Sequence, residues 1–402
     1  MSTATFSDGI AVPARSLQTE GSQYAAFMPQ NLIVAQEQNL GMVRELVPPQ
    51  EHVGLSIAPF LSVDSDDVVF DMVRGAQDGL APQRAQDAES VLWSEDEFYS
   101  GKGGASVIDW ALKNHYTASD IATYREMMTV IEQTEGQGGV FPLTAGKITE
   151  GFEAKVARDT RGRKSRLDNR IEWMITQAIT TGKISYTDAK MKWTVDFGRP
   201  ADQHQEDMAS GTYASDTHDP LGDVLAIQEI MQDRYAITLD RAYTSSKVLN
   251  TFWKSSKFRL LAGYAPGAIS GSDLPYVLPG FGPQAAIDII ERETGIKFIA
   301  NDNVLRTRAN GSQTFVNTRW FPIDEITFLP RESDITAYDD TALGFGKTLT
   351  SPHPAANWGT GFYTWEKEYG VDPWGHDIGT GVKAFPVFPH MELTYNAKVI
   401  LA

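Results

Sequence analysis

The stretch from Gly151 to Arg199, GFEAKVARDTRGRKSRLDNRIEWMITQAITTGKISYTDAKMKWTVDFGR, leaves the chain little choice of local structure. Leu167, Ile171, Met174, Ile175 and Ala178 recur at steps of three and four, so a helix through them carries one apolar stripe. Thr180, Thr181 and Gly182 follow, and Gly182 stands where a helix ends best on a residue free to take a positive φ. Met191, Trp193, Val195 and Phe197 then alternate with Lys192, Thr194 and Asp196, the period of a half-buried strand. A long helix, a turn and a strand arrive in succession near the middle of the chain. This is scaffold rather than an active site.

On either side the signals are of a mixed α+β chain. Residues 1–30 are small, polar and without a helical stripe, and read as an arm. A short helix is expected within 31–48, stopped by Pro48 and Pro49, and VVFDMV after an Asp-rich turn reads as a strand. Residues 79–104 are polar, acidic and glycine-rich at the end, and the section from about 53 to 115 suits a protruding hairpin better than a compact domain. Thr117 and Asp120 open a helix running to about Gln133, and Phe141 to Ile148 reads as a short strand. The polar run after Arg199 has no period and reads as a crossover. Asp219 with Pro220 then starts a helix. A strand is expected over 235–239, a helix over 245–255, and a Gly/Pro loop over 266–282. A helix from Pro283 is closed by Gly295, and strands are expected over 296–300, 325–329 and 344–350. This alternation predicts helices covering a sheet. The loose alternation from Lys383 to Leu401 predicts one long terminal strand.

The 402 residues favour two or three domains. There is no cysteine, which excludes disulfides and thiolate catalysis. The amino terminus lacks the basic and apolar regions of a secretion signal, and no span is apolar enough for a membrane helix, so a protein made in the cytoplasm is expected. Lys and Arg total 35 against 52 Asp and Glu, a formal charge of −17, which argues against a DNA-binding enzyme. GFGKTL at 344–349 lacks the first glycine of a phosphate loop, since Thr341 holds that position. None of the seven histidines stands four residues from another, and no catalytic serine motif appears. No cofactor and no metal site is expected. Nine tryptophans keep a carbohydrate-active enzyme using paired carboxylates as an alternative.

The run RIEWMITQAITTGKI, a spacer and WTVDFGRP, followed by HDPLGDVLAIQEIM at 218–231, resembles the major capsid proteins of lambda-like tailed bacteriophages. The matching positions are Glu172, Thr181, Gly182, Lys183, Val195, Asp196, Gly198 and Arg199. The resemblance implies an HK97-like α+β fold. In that layout 1–52 is an amino-terminal arm, 53–115 an extended loop, 116–215 a peripheral domain with a long helix, 216–380 an axial domain, and 381–402 a strand returning to the peripheral domain. It implies no enzymatic activity. It implies pentamers and hexamers of one chain closing an icosahedral head around double-stranded DNA in the host cytoplasm, with scaffolding, portal and decoration proteins as candidate partners and no membrane. Another phage structural subunit, such as a tail or portal component, is a further alternative.

One basic run stands out. Lys155, Arg158, Arg161, Arg163, Lys164, Arg166 and Arg170 face only Asp159 and Asp168. It reads as a solvated face, as a contact with an acidic surface on a neighbouring subunit or scaffold, or as a nucleic-acid contact. Helical spacing puts Arg163, Arg166 and Arg170 on one side. These three, with Lys183 and Arg199 beside the most family-like run, are the candidate assembly contacts. For Lys183 and Arg199 a role as plain surface turn residues stays open.

Overall fold

A computed structural model describes residues 36–48, 52–74, 99–117, 142–187, 192–261, 282–308, 315–338, 343–369 and 375–401. The chain forms two compact units: Met1–Val47, Ala111–Arg166 and Phe362–Gly381 make one, and Pro48–Trp110, Leu167–Gly361 and Val382–Ala402 the other. Two long elements, besides strand Asp109–Thr117, contribute a segment to each unit. One is the 40-residue helix Pro142–Thr181, and the other the 13-residue strand Gly375–Val387.

In the first unit, strand Gly375–Val387 pairs with strand Phe362–Tyr369 and with strand Asp109–Thr117. Tyr116, Val156 and Ile378 form a small core between helix and strands. Glycines make room for large rings here. A Cβ on Gly379 would stand 2.1 Å from the Trp365 ring, and one on Gly381 would stand 2.4 Å from that of Tyr363. Two bare positions two residues apart thus seat two aromatics of the neighbouring strand on one face.

The second unit is larger. Its main sheet runs His204–Asp207, Tyr395–Lys398, Glu325–Pro330, Leu239–Thr244, Lys297–Ala300 in spatial order. The outer pairs are parallel and the inner two antiparallel. Helix α4 (Pro220–Tyr235), α5 (Ser246–Phe252) and α7 (Pro283–Thr294) bury Val224, Ile227, Met231, Val248, Phe252, Ala286 and Ile290 against Ile326, Phe328 and Phe298 of the sheet. Each such side chain contributes about 1.5–3 kcal/mol by leaving water. The ends of α4 and α7 are set by sequence: Asp219 accepts from Gly222 N at 3.1 Å ahead of Pro220, and Gly295 closes α7 at φ 73°. A second group of strands pairs Phe60–Ser62 in parallel with Lys347–Thr350, which in turn pairs antiparallel with residues 384–387. Three two-stranded hairpins complete the unit: Asp67–Arg74 with Tyr99–Ser106, Lys183–Thr187 with Lys192–Asp196, and Val304–Arg308 with Phe315–Arg319.

Most expected elements are present, and the differences have identifiable causes. Residues 142–148 are helix, not strand, because the central helix begins at Pro142, a residue suited to a helix's first turn. The crossover after Arg199 contains an edge strand, His204–Asp207, whose side chains are exposed or half-buried and so leave no apolar signal. The strand expected over 235–239 starts at Leu239, because α4 runs through Tyr235 and Ala236 closes it at φ 54°. The single terminal strand is two strands in different sheets, interrupted by Phe388–Thr394 with Pro389 inside it. GFGKTL leads into a strand whose Thr348 is buried and donates to Ala58 O, with no helix after it. The arm over 1–30, the helix beyond Thr117, all of 79–98 and nearly all of the 266–282 loop lie outside the described residues.

Candidate functional site

Within the second unit the central helix carries Leu167, Ile171, Met174, Ile175 and Ala178, all at most 3 % exposed. Buried among them is a carboxylate. Glu172 accepts from Val53 N at 2.9 Å and Gly54 N at 2.7 Å, so it satisfies the first amides of the four-residue helix Gly54–Ile57. Burial raises its pKa, and these two N–H groups oppose the rise. The fit is close, since a Cβ on Gly54 would lie 2.5 Å from Glu172 Oε2.

The helix ends at Gly182, with φ 72° and its N–H on Ala178 O at 2.7 Å. Its last carbonyls are taken by Arg199. That side chain donates through Nη1 to Thr180 O at 2.8 Å, through Nη2 to Ile179 O, and through Nε to Thr394 Oγ1 at 2.9 Å. A cation thus sits at the negative end of the helix dipole and ties it to the turn at 391–394. Lys183 is exposed and pairs at 2.8 Å with Asp196 directly opposite it in the hairpin. The Arg170 guanidinium lies 5.1–5.4 Å from the ring centres of Trp110, Trp173 and Tyr186.

In the first unit the same helix treats neighbouring cations oppositely. Arg163 is 3 % exposed and donates to Thr380 Oγ1 at 3.1 Å, Asn114 Oδ1 at 2.7 Å and Thr160 Oγ1 at 2.8 Å. Lys164 is buried with its ammonium 3.9 Å from the centre of the Phe362 ring. Arg158, Arg161, Gly162, Ser165 and Arg166 are exposed and share the opposite face. Among the described residues, no carboxylate pairs with these three arginines.

The candidate contacts are therefore not one patch. Arg163 is an internal tie, correcting its expected place on the outer face, because the two strands beside it cover that part of the helix. Arg170 is enclosed by aromatics and Arg199 caps a helix. Only Arg166 and Lys183 point outward, and sequence reasoning did not single out Arg158 and Arg161 as their outward companions.

A polar hub in the first unit carries no local sequence signal, since its members lie far apart in the chain. The fully buried Asp377 carboxylate accepts from Lys113 Nζ at 2.6 Å, His115 Nδ1 at 2.6 Å and Tyr369 Oη at 2.8 Å. Burial by itself would raise its pKa; the three hydrogen bonds, led by that from Lys113, outweigh it and hold the group at about 2. A depressed carboxylate contributes stability above its unfolded pKa and loses it on acidification, here between about pH 4 and pH 2. Asp377→Asn is expected to lower stability at neutral pH and to flatten the pH dependence in that window. Urea titrations at stepped pH check this, and an unchanged acid slope would refute it.

Among the described residues no cluster of three or more metal-ligating side chains occurs. No described helix is long and apolar enough to cross a membrane.

A sequence profile for a family described as phage major capsid protein E matches residues 143–336. Among solved structures, a prophage protein from Escherichia coli CFT073, described as a capsid protein, superposes with a TM-score of 0.54 at 13 % identity, covering 91 % of this chain and 99 % of its own. A phage-related protein from Bordetella bronchiseptica RB50 gives a TM-score of 0.48 at 15 % identity, covering 90 % of this chain and 96 % of its own. No curated protein matches by sequence. The first of these structures shows a shared fold over nearly the whole of both chains.

Proposed function

We propose that this chain is a phage major capsid protein with an HK97-like α+β fold, a structural component of a capsid, and that its copies form pentamers and hexamers. These close an icosahedral head around double-stranded DNA, assembled in the host cytoplasm. The observation that carries this reading is the family match across the central helix and most of the main sheet of the second unit. The matching family favours neither a carbohydrate-active enzyme nor a tail or portal component. The layout that goes with the proposal has an arm over 1–52, an extended loop over 53–115, a peripheral domain over 116–215, an axial domain over 216–380 and a terminal segment over 381–402. Scaffolding, portal and decoration proteins are its candidate partners.

Assembly needs many modest contacts, because each copy uses several at once and closure makes their loss cooperative. The exposed face of Arg158, Arg161 and Arg166 supports one of them. In a chain of charge −17 the most available counter-surface for such a face is another copy. An exposed ionic contact of this kind is screened over about 8 Å at physiological ionic strength, so yield should fall with added salt. The test is purified protein, with and without a co-expressed scaffold, in sedimentation velocity and electron microscopy. Closed particles of uniform size are expected, and a compact monomer at micromolar concentration under both conditions would overturn the proposal.

A further inference from the structure

We propose that the exposed arginine face of the central helix in the first unit receives the acidic outer face of α4 from an adjacent copy, helix against helix. The inference rests on the capsid reading above and names the two surfaces that meet.

The receiving face has a floor and two rims. In helical projection Gly162 and Ser165 lie along its middle, Arg161 on one edge and Arg166 on the other, with Arg158 one turn earlier on the midline. All five are exposed. Of the two acids within this basic run, Asp159 is engaged by Tyr116 Oη at 3.0 Å and Asp168 is buried. No carboxylate among the described residues pairs with Arg158, Arg161 or Arg166, on a chain whose total charge is −17. A glycine inside a 40-residue helix is a costly choice, since only proline favours a helix less. Among the described residues nothing explains it, because a Cβ on Gly162 would meet no heavy atom within 4 Å. The bare position has its use toward a surface from outside the chain, which it lets approach closely between the arginine stems.

The outer face of α4 is complementary in shape and charge. Glu229 and Asp233 form its central ridge, and Leu225 and Ile230 flank them, 43 % and 40 % exposed. The two acids are like charges four residues apart, an arrangement that mildly destabilises a helix by itself. Among the described residues neither has a basic partner, and the one arginine of the helix, Arg234, is held by Asp202 at 2.6 Å. A ridge of residues four apart, laid along the floor of Gly162 and Ser165, fits between the rims as ridges fit grooves in packed helices. Both carboxylates then come within reach of Arg161 and Arg166, whose aliphatic stems cover Leu225 and Ile230. Both faces are exposed within one copy, so the pairing runs between copies. A contact joining two different faces of the same chain is heterologous, and it closes into a ring when the rotation allows.

The experiment uses the full chain under conditions where the wild type forms particles. Gly162→Gln fills the floor without a change of charge, and should raise the protein concentration needed for assembly about tenfold while the circular dichroism spectrum stays unchanged. Arg161→Glu with Arg166→Glu, and Glu229→Lys with Asp233→Lys, should each do the same. Combining these four charge reversals should restore assembly to within about threefold. Restoring net charge elsewhere, by Asp207→Lys with Asp288→Lys on the arginine variant, should not. Normal assembly of Gly162→Gln or of either double variant, a quadruple variant that does not recover, or equal recovery through the remote lysines overturns the pairing. Should a charge-reversed chain misfold, Gly162→Gln still decides. An arginine variant that assembles normally but loses retention of a short DNA duplex also overturns it, and would make the face a nucleic-acid contact. A wild type that never assembles refutes the capsid reading itself and takes this inference with it, whereas normal particles from the variants refute the inference alone.

Discussion

Arg199→Ala is expected to cost the second unit about 3 kcal/mol, because it strips three charge-assisted donations from two helix-end carbonyls and a hydroxyl. Thr180 O and Ile179 O are among the last carbonyls of the central helix, and Thr394 Oγ1 belongs to the turn before strand Tyr395–Lys398. The guanidinium is half-buried; burial lowers its pKa and the charge of Glu325 opposes this. Its planar fork meets two carbonyls and a hydroxyl at once, whereas the single ammonium of a lysine reaches at most part of that set. Arg199→Lys should therefore recover less than half of the loss. Denaturant unfolding followed by tryptophan fluorescence measures both variants. A loss under about 1 kcal/mol for Arg199→Ala would show the tie to be ornamental.

Arg163→Glu and Arg166→Glu make the same charge change three residues apart, and opposite outcomes are expected. Arg163 is enclosed by Thr380, Asn114 and Thr160, all acceptors. A carboxylate there loses the guanidinium's three donations and puts a buried negative charge in its place, which costs about 3–5 kcal/mol and prevents the first unit from folding normally. Arg166 is exposed, and its reversal should cost under about 0.5 kcal/mol. Its effect, alone or together with Arg158→Glu and Arg161→Glu, should appear only as fewer particles. Circular dichroism and protease resistance of the soluble protein, set beside particle yield, separate the two. A folded, protease-resistant Arg163→Glu would contradict the burial argument, and a triple variant giving normal yield would remove the arginine face from assembly.

Periodicity in one segment reaches as far as that segment's own geometry. The apolar stripe from Leu167 to Ala178, the cap at Gly182, the strand ending at Asp196, and the Asp219–Pro220 and Pro283–Gly295 brackets are consequences of nearest-turn sterics and hydrogen bonding, and each is present. Helical spacing grouped Arg163, Arg166 and Arg170 on one side, yet Arg163 is buried, Arg166 exposed and Arg170 set among aromatic rings. What it could not hold is which strands pass over that side. Asn114 and Thr380 cover Arg163, and Trp110 and Tyr186 enclose Arg170. Solvation, and with it the role of each arginine, is decided by residues far away in the chain.

The same division holds elsewhere. A buried glutamate in a helix is legible as an anomaly, but that Glu172 serves the amides of residues 53 and 54 depends on a chain segment more than a hundred residues earlier. Alternation from Lys383 to Leu401 is real, yet it cannot say that the strand breaks and its second part joins a different sheet, because alternation records two faces and not the neighbour on either edge. Local propensity and pattern thus settled the elements, their ends and the family resemblance. Burial of charge, strand neighbours and the surfaces left for partners were settled only by tertiary contact, since they depend on distances between residues that sequence order leaves free.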